Sequence, residues 1–217
     1  MFTIDSTKVR AVIFDMDGTM IDNMAYHKKA WRAFLKQHHM DVSDEEFRRK
    51  VSGKKNDQIF RTLFQRDLSQ HELEAYADEK EALYRKLYEP EIREVEGLVR
   101  LVHQLYEHDI QTAIATTAPA KNREFGLRAL GLENAFDIIL GEEHVMQGKP
   151  HPEIYLKAAI KLGVDPAECL VLEDSPPGVQ SAKAAGMTCV GILTSHSAED
   201  IHESDATEND FTEITVA

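Results

Sequence analysis

The sequence predicts an α/β fold in which helices cover a parallel β-sheet and a helical insert interrupts it. Five short apolar segments have strand character, and their continuous hydrophobicity is typical of strands buried on both faces. They lie at residues 9–14, 112–115, 136–140, 169–172 and 188–193. Helical patterns that end at glycine separate the later segments. A stretch of roughly 70 residues after the first segment has helical periodicity and no convincing strand.

The first predicted strand runs directly into an acidic segment. Residues 9–14 are followed by Asp15 and Asp17 and by the turn residues Gly18 and Thr19. Both carboxylates therefore leave the strand at the carboxyl edge of the sheet, where open parallel sheets bind ligands. An Asp-Gly-Thr segment is also a common turn, so this fragment alone supports a structural interpretation as well as a functional one.

Residues 22–92 form the predicted helical insert. Asn23 can cap a helix that includes Trp31 and Leu35, because its side chain can accept hydrogen bonds from the first amides of a helix. Two Ser-x-x-Glu capping boxes predict further helix starts. They pair Ser43 with Glu46 and Ser69 with Glu72.

The later strands alternate with three predicted helices. The helical patterns cover residues 122–130, 153–162 and 178–185, and a glycine follows each of them. Because this alternation requires crossover connections, the sheet is predicted to be parallel. We divide the chain into a core, residues 1–21 and 93–217, and a helical cap, residues 22–92. The acidic tail from residue 196 onward carries no strong pattern.

The composition excludes several classes of protein. With 217 residues, 42% hydrophobic content and a formal charge of −13, the chain can bury a core and has no basic tract for nucleic acid or anionic membranes. Residues 1–10 are too polar for a signal peptide, and no segment reaches the ~20 apolar residues of a membrane-spanning helix. Cys169 and Cys189 are expected to be reduced, buried thiols. We expect a soluble, cytoplasmic monomer.

Polar groups also follow the later strands. Thr116 and Thr117 come after the second strand, where hydroxyls and backbone amides can bind a phosphoryl oxygen, although threonine also simply favours strands. Lys149 precedes a helix, where its charge can neutralise a carboxylate and a phosphate. Taken alone, the same position is equally typical of an ordinary surface lysine. Glu173 and Asp174 offer the hard oxygen ligands that Mg²⁺ prefers. Their structural interpretation is an acidic pair at a helix start.

The order of these groups along the chain is a carboxylate pair, a hydroxyl, a lysine and a second carboxylate pair. This order resembles the motifs of the haloacid dehalogenase superfamily of phosphatases and phosphohexomutases. The resemblance covers the whole chain. It implies a Rossmann-like parallel sheet core and an inserted helical cap of the C1 type, whose closure would select the substrate. It also implies that Asp15 is a nucleophile that forms an aspartyl phosphate and that Asp17 is the general acid and base.

The same resemblance implies Mg²⁺ as the cofactor. The side chains of Asp15 and Asp174 and the backbone carbonyl of Asp17 would bind the ion. Glu173 would bind it through a water molecule or would contact its ligands without binding it directly. A carboxylate can attack a phosphate only if their repulsion is cancelled, and Mg²⁺ with Lys149 would cancel it.

Further residues match the phosphate-binding part of the family pattern. Thr116 matches its hydroxyl motif, and Thr117 and Asn122 are expected to contact the substrate beside it. The Lys149-Pro150 peptide bond resembles a cis bond of related mutases and is predicted to be cis.

The start of the cap is similar to that of the β-phosphoglucomutases. These carry a similar Tyr-His-x-x-Ala-Trp segment, which places His27 and Trp31 among the candidate substrate-binding residues, and Lys80 matches a cap lysine of that group. Ordinary packing within the cap explains His27 and Trp31 equally well.

One departure from the mutases affects the predicted function. The mutases carry an arginine three residues after the cap glycine, and this arginine grips the distal phosphate. Here Gly53 is followed by Lys54, Lys55 and Asn56. An asparagine cannot offer the bidentate cationic contact of arginine, although Lys54 or Lys55 could stand in for it.

We therefore predict a Mg²⁺-dependent phosphatase that hydrolyses a small phosphorylated metabolite such as a sugar phosphate. A β-phosphoglucomutase-like mutase and a pyrophosphatase are the alternatives. A signalling receiver domain is disfavoured because it would have about 120 residues and an aspartate after its third strand, where Gly141 follows Leu140 here. A binding protein without activity is disfavoured because no motif residue is missing.

Overall fold

A computed structural model of the protein describes residues 1–51 and 56–217. The chain divides into two compact units, one formed by Met1–Met24 with Ile92–Ala217 and the other by Ala25–Glu91. We call them the core unit and the cap unit, and we describe each by itself.

Strands of the core unit form a six-stranded sheet and a separate two-stranded sheet. In chain order they are β1 (Phe2–Ile4), β2 (Ala11–Phe14), β3 (Gln111–Ala115), β4 (Ile138–Leu140), β5 (Cys169–Glu173), β6 (Thr188–Ile192), β7 (Ala206–Glu208) and β8 (Ile214–Val216). The larger sheet has the order β4-β3-β2-β5-β6-β7, and each neighbouring pair is parallel. β1 pairs with β8, also in parallel. The predicted α/β fold with a parallel sheet is confirmed.

The helices complete the alternating pattern. In chain order they are α1 (Met24–Gln37), α2 (Asp44–Lys50), α3 (Asn56–Phe64), α4 (Gln70–Tyr88), α5 (Leu98–Glu107), α6 (Ala120–Leu130), α7 (Glu153–Leu162) and α8 (Pro176–Ala184). α6, α7 and α8 are the three helices predicted between the later strands, and each ends within two residues of its predicted glycine.

The central strand β2 aligns the ends of its neighbours. Phe14 lies opposite Ile114 of β3 and Leu172 of β5. All four residues of β2 are buried, as its continuous hydrophobicity predicted. Because parallel strands run in one direction, the residues that follow these three positions leave the sheet at the same edge.

Sequence reasoning missed three short strands and one helix. β1, β7 and β8 have three residues each, too few to show a period-2 pattern. α5 was missed although its buried face, Leu98, Leu101, Val102 and Leu105, has the spacing of an amphipathic helix.

The buried core of this unit packs α7 and α8 against the sheet. It joins Tyr155 of α7 and Val179 of α8 to Val171 of β5 in one apolar cluster. Cys169 and Cys189 belong to the same cluster and are free and buried. The predicted buried thiols are thus confirmed.

The cap unit has its own apolar cluster, built largely from aromatic side chains. Trp31 and Phe34 of α1 pack with Phe60 of α3 at ring-centroid distances of 5.2 and 5.3 Å. Both predicted capping boxes are present, at the starts of α2 and α4. Within the described ranges, we find no helix that combines the length and apolarity needed to cross a bilayer.

Candidate active site

Lys149 lies between two carboxylates at the carboxyl edge of the six-stranded sheet. Its Nζ is 2.6 Å from Asp15 Oδ1 and 2.6 Å from Glu173 Oε1. The three side chains are buried, with exposed fractions of 7%, 9% and 1% for Lys149, Asp15 and Glu173. The Lys149-Pro150 peptide bond is cis, as predicted. The fold therefore brings together residues from three separate predicted motifs.

The charges of this cluster depend on each other. Burial raises the pKa of Asp15 well above its usual range, Lys149 counteracts that rise, and Glu173 and Asp174 add to it. Burial acts to lower the pKa of Lys149, but the neighbouring Asp15 and Glu173 raise it well above its usual value. The contact with two carboxylates thus favours the charged form of Lys149, whereas burial and the neighbouring carboxylates disfavour the ionised form of Asp15.

Both oxygens of Glu173 are engaged by protein donors. Oε1 accepts hydrogen bonds from Lys149 and from the Tyr155 hydroxyl at 3.2 Å. Oε2 accepts from the backbone amides of Asp174 and Ser175, both at 2.8 Å, and from the Ser175 hydroxyl at 3.0 Å. A carboxylate held in this way orients its neighbours, which favours the indirect role expected for Glu173 over direct contact with a metal ion.

Asp174 is the second acidic centre of the site. Burial and then the nearby Glu173 raise its pKa to about 7, against hydrogen bonds from Ser195 and Thr19 that lower it. The Thr19 hydroxyl is 3.2 Å from Oδ1, and the Ser195 hydroxyl donates to Oδ2. Gly18 makes room for this carboxylate, because a Cβ at that position would lie 2.2 Å from Oδ2, and its φ of +84° also disfavours other residues.

The donor set fits a hard divalent cation. Lys149 contacts Asp15 and Glu173, and Asp174 lies near both carboxylates. If all three carboxylates were ionised, negative charge would be in excess, and a divalent cation could offset it. Within residues 1–51 and 56–217, no three His, Cys, Asp or Glu side chains gather in a geometry that could hold a metal ion. A cation here would therefore also need backbone carbonyl and water ligands, a mixture that Mg²⁺ commonly uses.

The side chain of Asp17 is half-buried beside Asn23. The Asn23 side-chain amide donates to Asp17 Oδ1 at 2.6 Å. Sequence reasoning assigned Asn23 only to the start of α1, which it does precede. Its contact with Asp17 was missed, and its capping role stays a prediction.

The residues after β3 form a tight turn. Thr116 is buried, and its hydroxyl accepts a hydrogen bond from the Ala118 amide at 3.1 Å. Thr117 is exposed, and Asn122 is buried in the first turn of α6. Hydroxyl and amide groups thus stand at the same sheet edge as Asp15, as their positions in the sequence predicted.

A buried arginine that sequence reasoning missed connects this turn to the segment after β4. Arg123 Nη1 is 2.6 Å from the Ala118 carbonyl oxygen and 3.1 Å from Glu143 Oε2. The guanidinium passes over Gly141, where a Cβ would lie 1.7 Å from Nη1. The ends of two neighbouring strands are thereby tied together.

Four of the predicted cap residues lie together within the cap unit. Lys80 Nζ is 2.9 Å from His27 Nδ1 and lies over the Trp31 ring at 5.4 Å. Both Lys80 and Asn56 donate to Glu81 Oε1, at 2.8 and 3.1 Å. Glu81 was not predicted, and it is buried with an exposed fraction of 6%. The remaining candidates, Gly53, Lys54 and Lys55, lie outside the described residues.

The strand-end rule that identified Asp15 and Glu173 would also have found further site residues. Thr194 and Ser195 follow β6 at the same edge of the sheet, and both contact the acidic segments. Tyr155 gave no comparable signal, because a tyrosine on the buried face of a helix is normally explained by packing.

Comparisons with known proteins agree with this geometry. A family model described as haloacid dehalogenase-like hydrolase matches residues 12–192. Validoxylamine A 7'-phosphate phosphatase of Streptomyces hygroscopicus subsp. limoneus is 30% identical over 94% of this chain and 95% of its own length. β-Phosphoglucomutase of Bacillus subtilis (strain 168) is 30% identical over 85% of this chain and 83% of its own length. A crystal structure of a HAD hydrolase, family IA, variant 3, from Entamoeba histolytica HM-1:IMSS matches with a TM-score of 0.86 and 32% identity, covering 95% of this chain and 96% of that one.

The parallel sheet and its acidic edge, together with these relatives, define a hydrolase whose core is a parallel α/β sheet. More narrowly, the chain belongs to the haloacid dehalogenase-like hydrolase family. The predicted family, fold class and enzyme class, a phosphoric monoester hydrolase, are thereby confirmed.

Proposed function

We propose that this protein is a Mg²⁺-dependent phosphatase that hydrolyses a small phosphorylated metabolite, such as a sugar phosphate, through a phosphate ester formed on Asp15. The observation that carries the proposal is the buried contact of Lys149 with Asp15 and Glu173, at 2.6 Å each. A lysine held against a buried carboxylate supplies positive charge where a phosphate dianion must approach.

Asp15 is the proposed nucleophile. One of its carboxylate oxygens attacks phosphorus, an O–P bond forms, and the bond between phosphorus and the substrate oxygen breaks. Asp17 gives a proton to the departing oxygen, so the substrate leaves as a neutral alcohol. Asp17 then takes a proton from water as the water oxygen attacks phosphorus. Inorganic phosphate leaves, and the Asp15 carboxylate is restored.

The contact with Asn23 suits Asp17 to this exchange. The Asn23 amide donates to Oδ1, and an oxygen that accepts a hydrogen bond from an N–H is a poor place for the acid proton. The transferable proton is therefore favoured on Oδ2. Asn23 also limits rotation of the carboxyl group, which keeps the acid in one orientation.

The residues proposed to hold Mg²⁺ are Asp15, Asp174 and the backbone carbonyl of Asp17. When bound, Mg²⁺ supplies the charge that keeps the carboxylates ionised and offsets their repulsion with phosphate. Glu173 supports the site by holding Lys149, since both of its oxygens are already engaged.

Residues after β3 are proposed to bind the transferring phosphate. The Thr116 hydroxyl and the nearby Thr117 and Asn122 side chains can donate hydrogen bonds to phosphoryl oxygens. The turn between Thr116 and Ala118 pre-organises the first of these groups.

Contacts within the cap unit support hydrolysis over mutase chemistry. Asn56 stands where the mutases carry an arginine, and its amide donates to Glu81 at 3.1 Å. The Lys80 ammonium is also paired with Glu81, at 2.8 Å. The Asn56 amide and the Lys80 ammonium thus both contact the Glu81 carboxylate. An amide also binds phosphate more weakly than a bidentate guanidinium does. A bisphosphate intermediate would be retained less well, and water would compete for the phosphoenzyme.

A panel of phosphorylated metabolites tests the proposal. Purified protein is incubated with sugar phosphates, including β-glucose 1-phosphate, and with pyrophosphate, with Mg²⁺ and with a chelator. We expect Mg²⁺-dependent release of inorganic phosphate from at least one sugar phosphate. Glucose 6-phosphate appearing faster than free phosphate, with a bisphosphate primer present, would establish the mutase alternative instead. Preference for pyrophosphate would establish the pyrophosphatase alternative. The cytoplasmic location and the monomeric state stay predictions.

A further inference from the structure

The segment after β6 contacts both acidic segments of the site. The Thr194 hydroxyl donates to the backbone carbonyl of Gly18, and the Ser195 hydroxyl donates to Asp174 Oδ2. His196 Nδ1 lies 3.0 Å from the Asp174 carbonyl oxygen and 2.8 Å from Ser195 Oγ. Asp174 is thus contacted through its side chain by Ser195 and through its backbone by His196.

The direction of these hydrogen bonds follows from their partners. A carbonyl oxygen can only accept, so His196 Nδ1 must carry the hydrogen in its contact with Asp174. The Ser195 hydroxyl has one hydrogen, which it donates to the Asp174 carboxylate, so its oxygen accepts from the same His196 N–H. His196 therefore donates to Ser195, and Ser195 donates to Asp174.

This direction excludes one interpretation of the three residues. In a catalytic triad with a serine nucleophile, the histidine accepts the proton of the serine hydroxyl, and the carboxylate contacts the histidine. Here the carboxylate contacts the serine, and His196 is a donor towards Ser195. The hydroxyl is thus held as a donor to a carboxylate and is not activated for attack.

We propose that Ser195 is a positioning residue for the metal-binding carboxylate of Asp174 and that His196 holds the Ser195 hydroxyl in its donating orientation. The proposal rests on the proposed function, in which Asp174 is a ligand of Mg²⁺. A hydrogen bond at Oδ2 restricts rotation of the carboxylate and so fixes the direction of its other oxygen. Partners that orient metal ligands in this way typically contribute about 10- to 100-fold to metal affinity.

Thr194 contacts the first acidic segment, through the backbone carbonyl of Gly18. Gly18 follows Asp17, whose carbonyl is the proposed third ligand, so the segment after β6 contacts both acidic segments that would supply Mg²⁺ ligands.

Mg²⁺ binding to the full-length protein, measured without substrate by isothermal titration calorimetry, tests the proposal. We expect Ser195→Ala to weaken Mg²⁺ affinity about 10-fold or more. Ser195→Thr, which keeps a hydroxyl, should remain close to wild type. His196→Ala should weaken binding less than Ser195→Ala, and His196→Asn, which restores an N–H donor, should recover part of that loss.

Ser197→Ala is the matched control. Its hydroxyl donates to Asp200 at 2.6 Å and does not enter the acidic site, so Mg²⁺ affinity should not change. Equal affinities of wild type and Ser195→Ala would overturn the inference. If Ser195→Ala does not fold, an unchanged affinity in His196→Ala would overturn it instead. Absence of Mg²⁺ binding by the wild-type protein would contradict the proposed function itself, which separates the two failures.

Discussion

At the scale of single residues, the chemistry of the site depends on how one ammonium is shared between two buried carboxylates. Lys149 contacts Asp15 and Glu173 at the same distance, and Glu173 is held in turn by Tyr155. The Tyr155 ring also lies 4.9 Å from Lys149 Nζ, a cation–π contact. Lys149 is therefore held by Asp15, Glu173 and the Tyr155 ring, and these contacts keep its charge beside the proposed nucleophile.

Substitution of Asp15 by asparagine tests the role of that nucleophile. The amide preserves the shape of the side chain but removes the charge and the nucleophilic oxygen, so we expect Asp15→Asn to abolish phosphate release. Circular dichroism and thermal denaturation should show a folded protein. Asp67→Asn, an exposed substitution in the cap unit, is the control with normal activity. A folded Asp15→Asn variant with near wild-type turnover would contradict the proposed mechanism.

At the scale of secondary-structure elements, side chains that join neighbouring strand ends hold the site together. Arg123 of α6 ties the turn after β3 to the segment after β4 through Ala118 and Glu143. Glu153, the first residue of α7, accepts hydrogen bonds from the backbone amides of Met146 and Gln147. Both side chains thus order segments that carry predicted site residues.

A double-mutant cycle tests the packing of Arg123 over Gly141. The backbone at Gly141 is extended, so the cost of Gly141→Ala comes from the added Cβ, which would lie 1.7 Å from Nη1. We expect Gly141→Ala to lower the free energy of unfolding by about 1–3 kcal/mol in urea denaturation. In the Arg123→Ala background the same change should cost much less, because the clashing group is gone. Additive effects would show that Arg123 is not the cause.

The N-terminus of α7 gives a pH-dependent prediction. The Lys157 ammonium, followed by the amides of Met146 and Gln147, lowers the pKa of Glu153 to about 2. A lowered pKa in the folded state means that Glu153 stabilises the fold above its unfolded pKa of about 4.5 and loses this effect as the pH falls towards 2. The stability advantage of wild type over Glu153→Gln should therefore shrink across this range.

Thermal denaturation of both proteins at neutral pH and at several acidic values measures that difference. Because the carboxylate is solvent-accessible, the effect should be modest and should weaken in high salt. Lys157→Met removes the largest cause of the shift, so it should reduce the pH dependence as well. A difference that stays constant from neutral pH to pH 2 would disprove the assignment.

At the scale of the whole molecule, the site is assembled from residues far apart in the chain. Lys149 and Asp15 are separated by 134 positions, and Asp174 and Thr19 by 155. The parallel order β3-β2-β5-β6 makes these contacts possible, since it places the carboxyl ends of four strands side by side. A sheet edge built in this way can combine groups that no local segment could hold together.

Much of this arrangement could be predicted without coordinates. Apolar runs and the glycines after helices are local signals, so five of the eight described strands, the three later helices and the two capping boxes could be predicted. Asp15, Thr116, Lys149 and Asp174 were found because each follows a strand or precedes a helix at a place where parallel sheets bind ligands. β1, β7 and β8 were missed because three residues show no period, whereas the equally short β4 lies in a longer apolar run. α5 was missed although its apolar spacing is that of an amphipathic helix.

The sequence by itself determined the fold class, the family and the chemical groups at the sheet edge, because hydrophobic periodicity and motif order are properties of the chain. Only the tertiary structure decided which donors meet which acceptors. Tyr155 and the Ser175 backbone donate to Glu173, and Ser195 donates to Asp174. Arg123 likewise packs over Gly141. Each depends on how a helix or loop packs on the sheet to within a fraction of an ångström. Short-range patterns carry no information at that resolution.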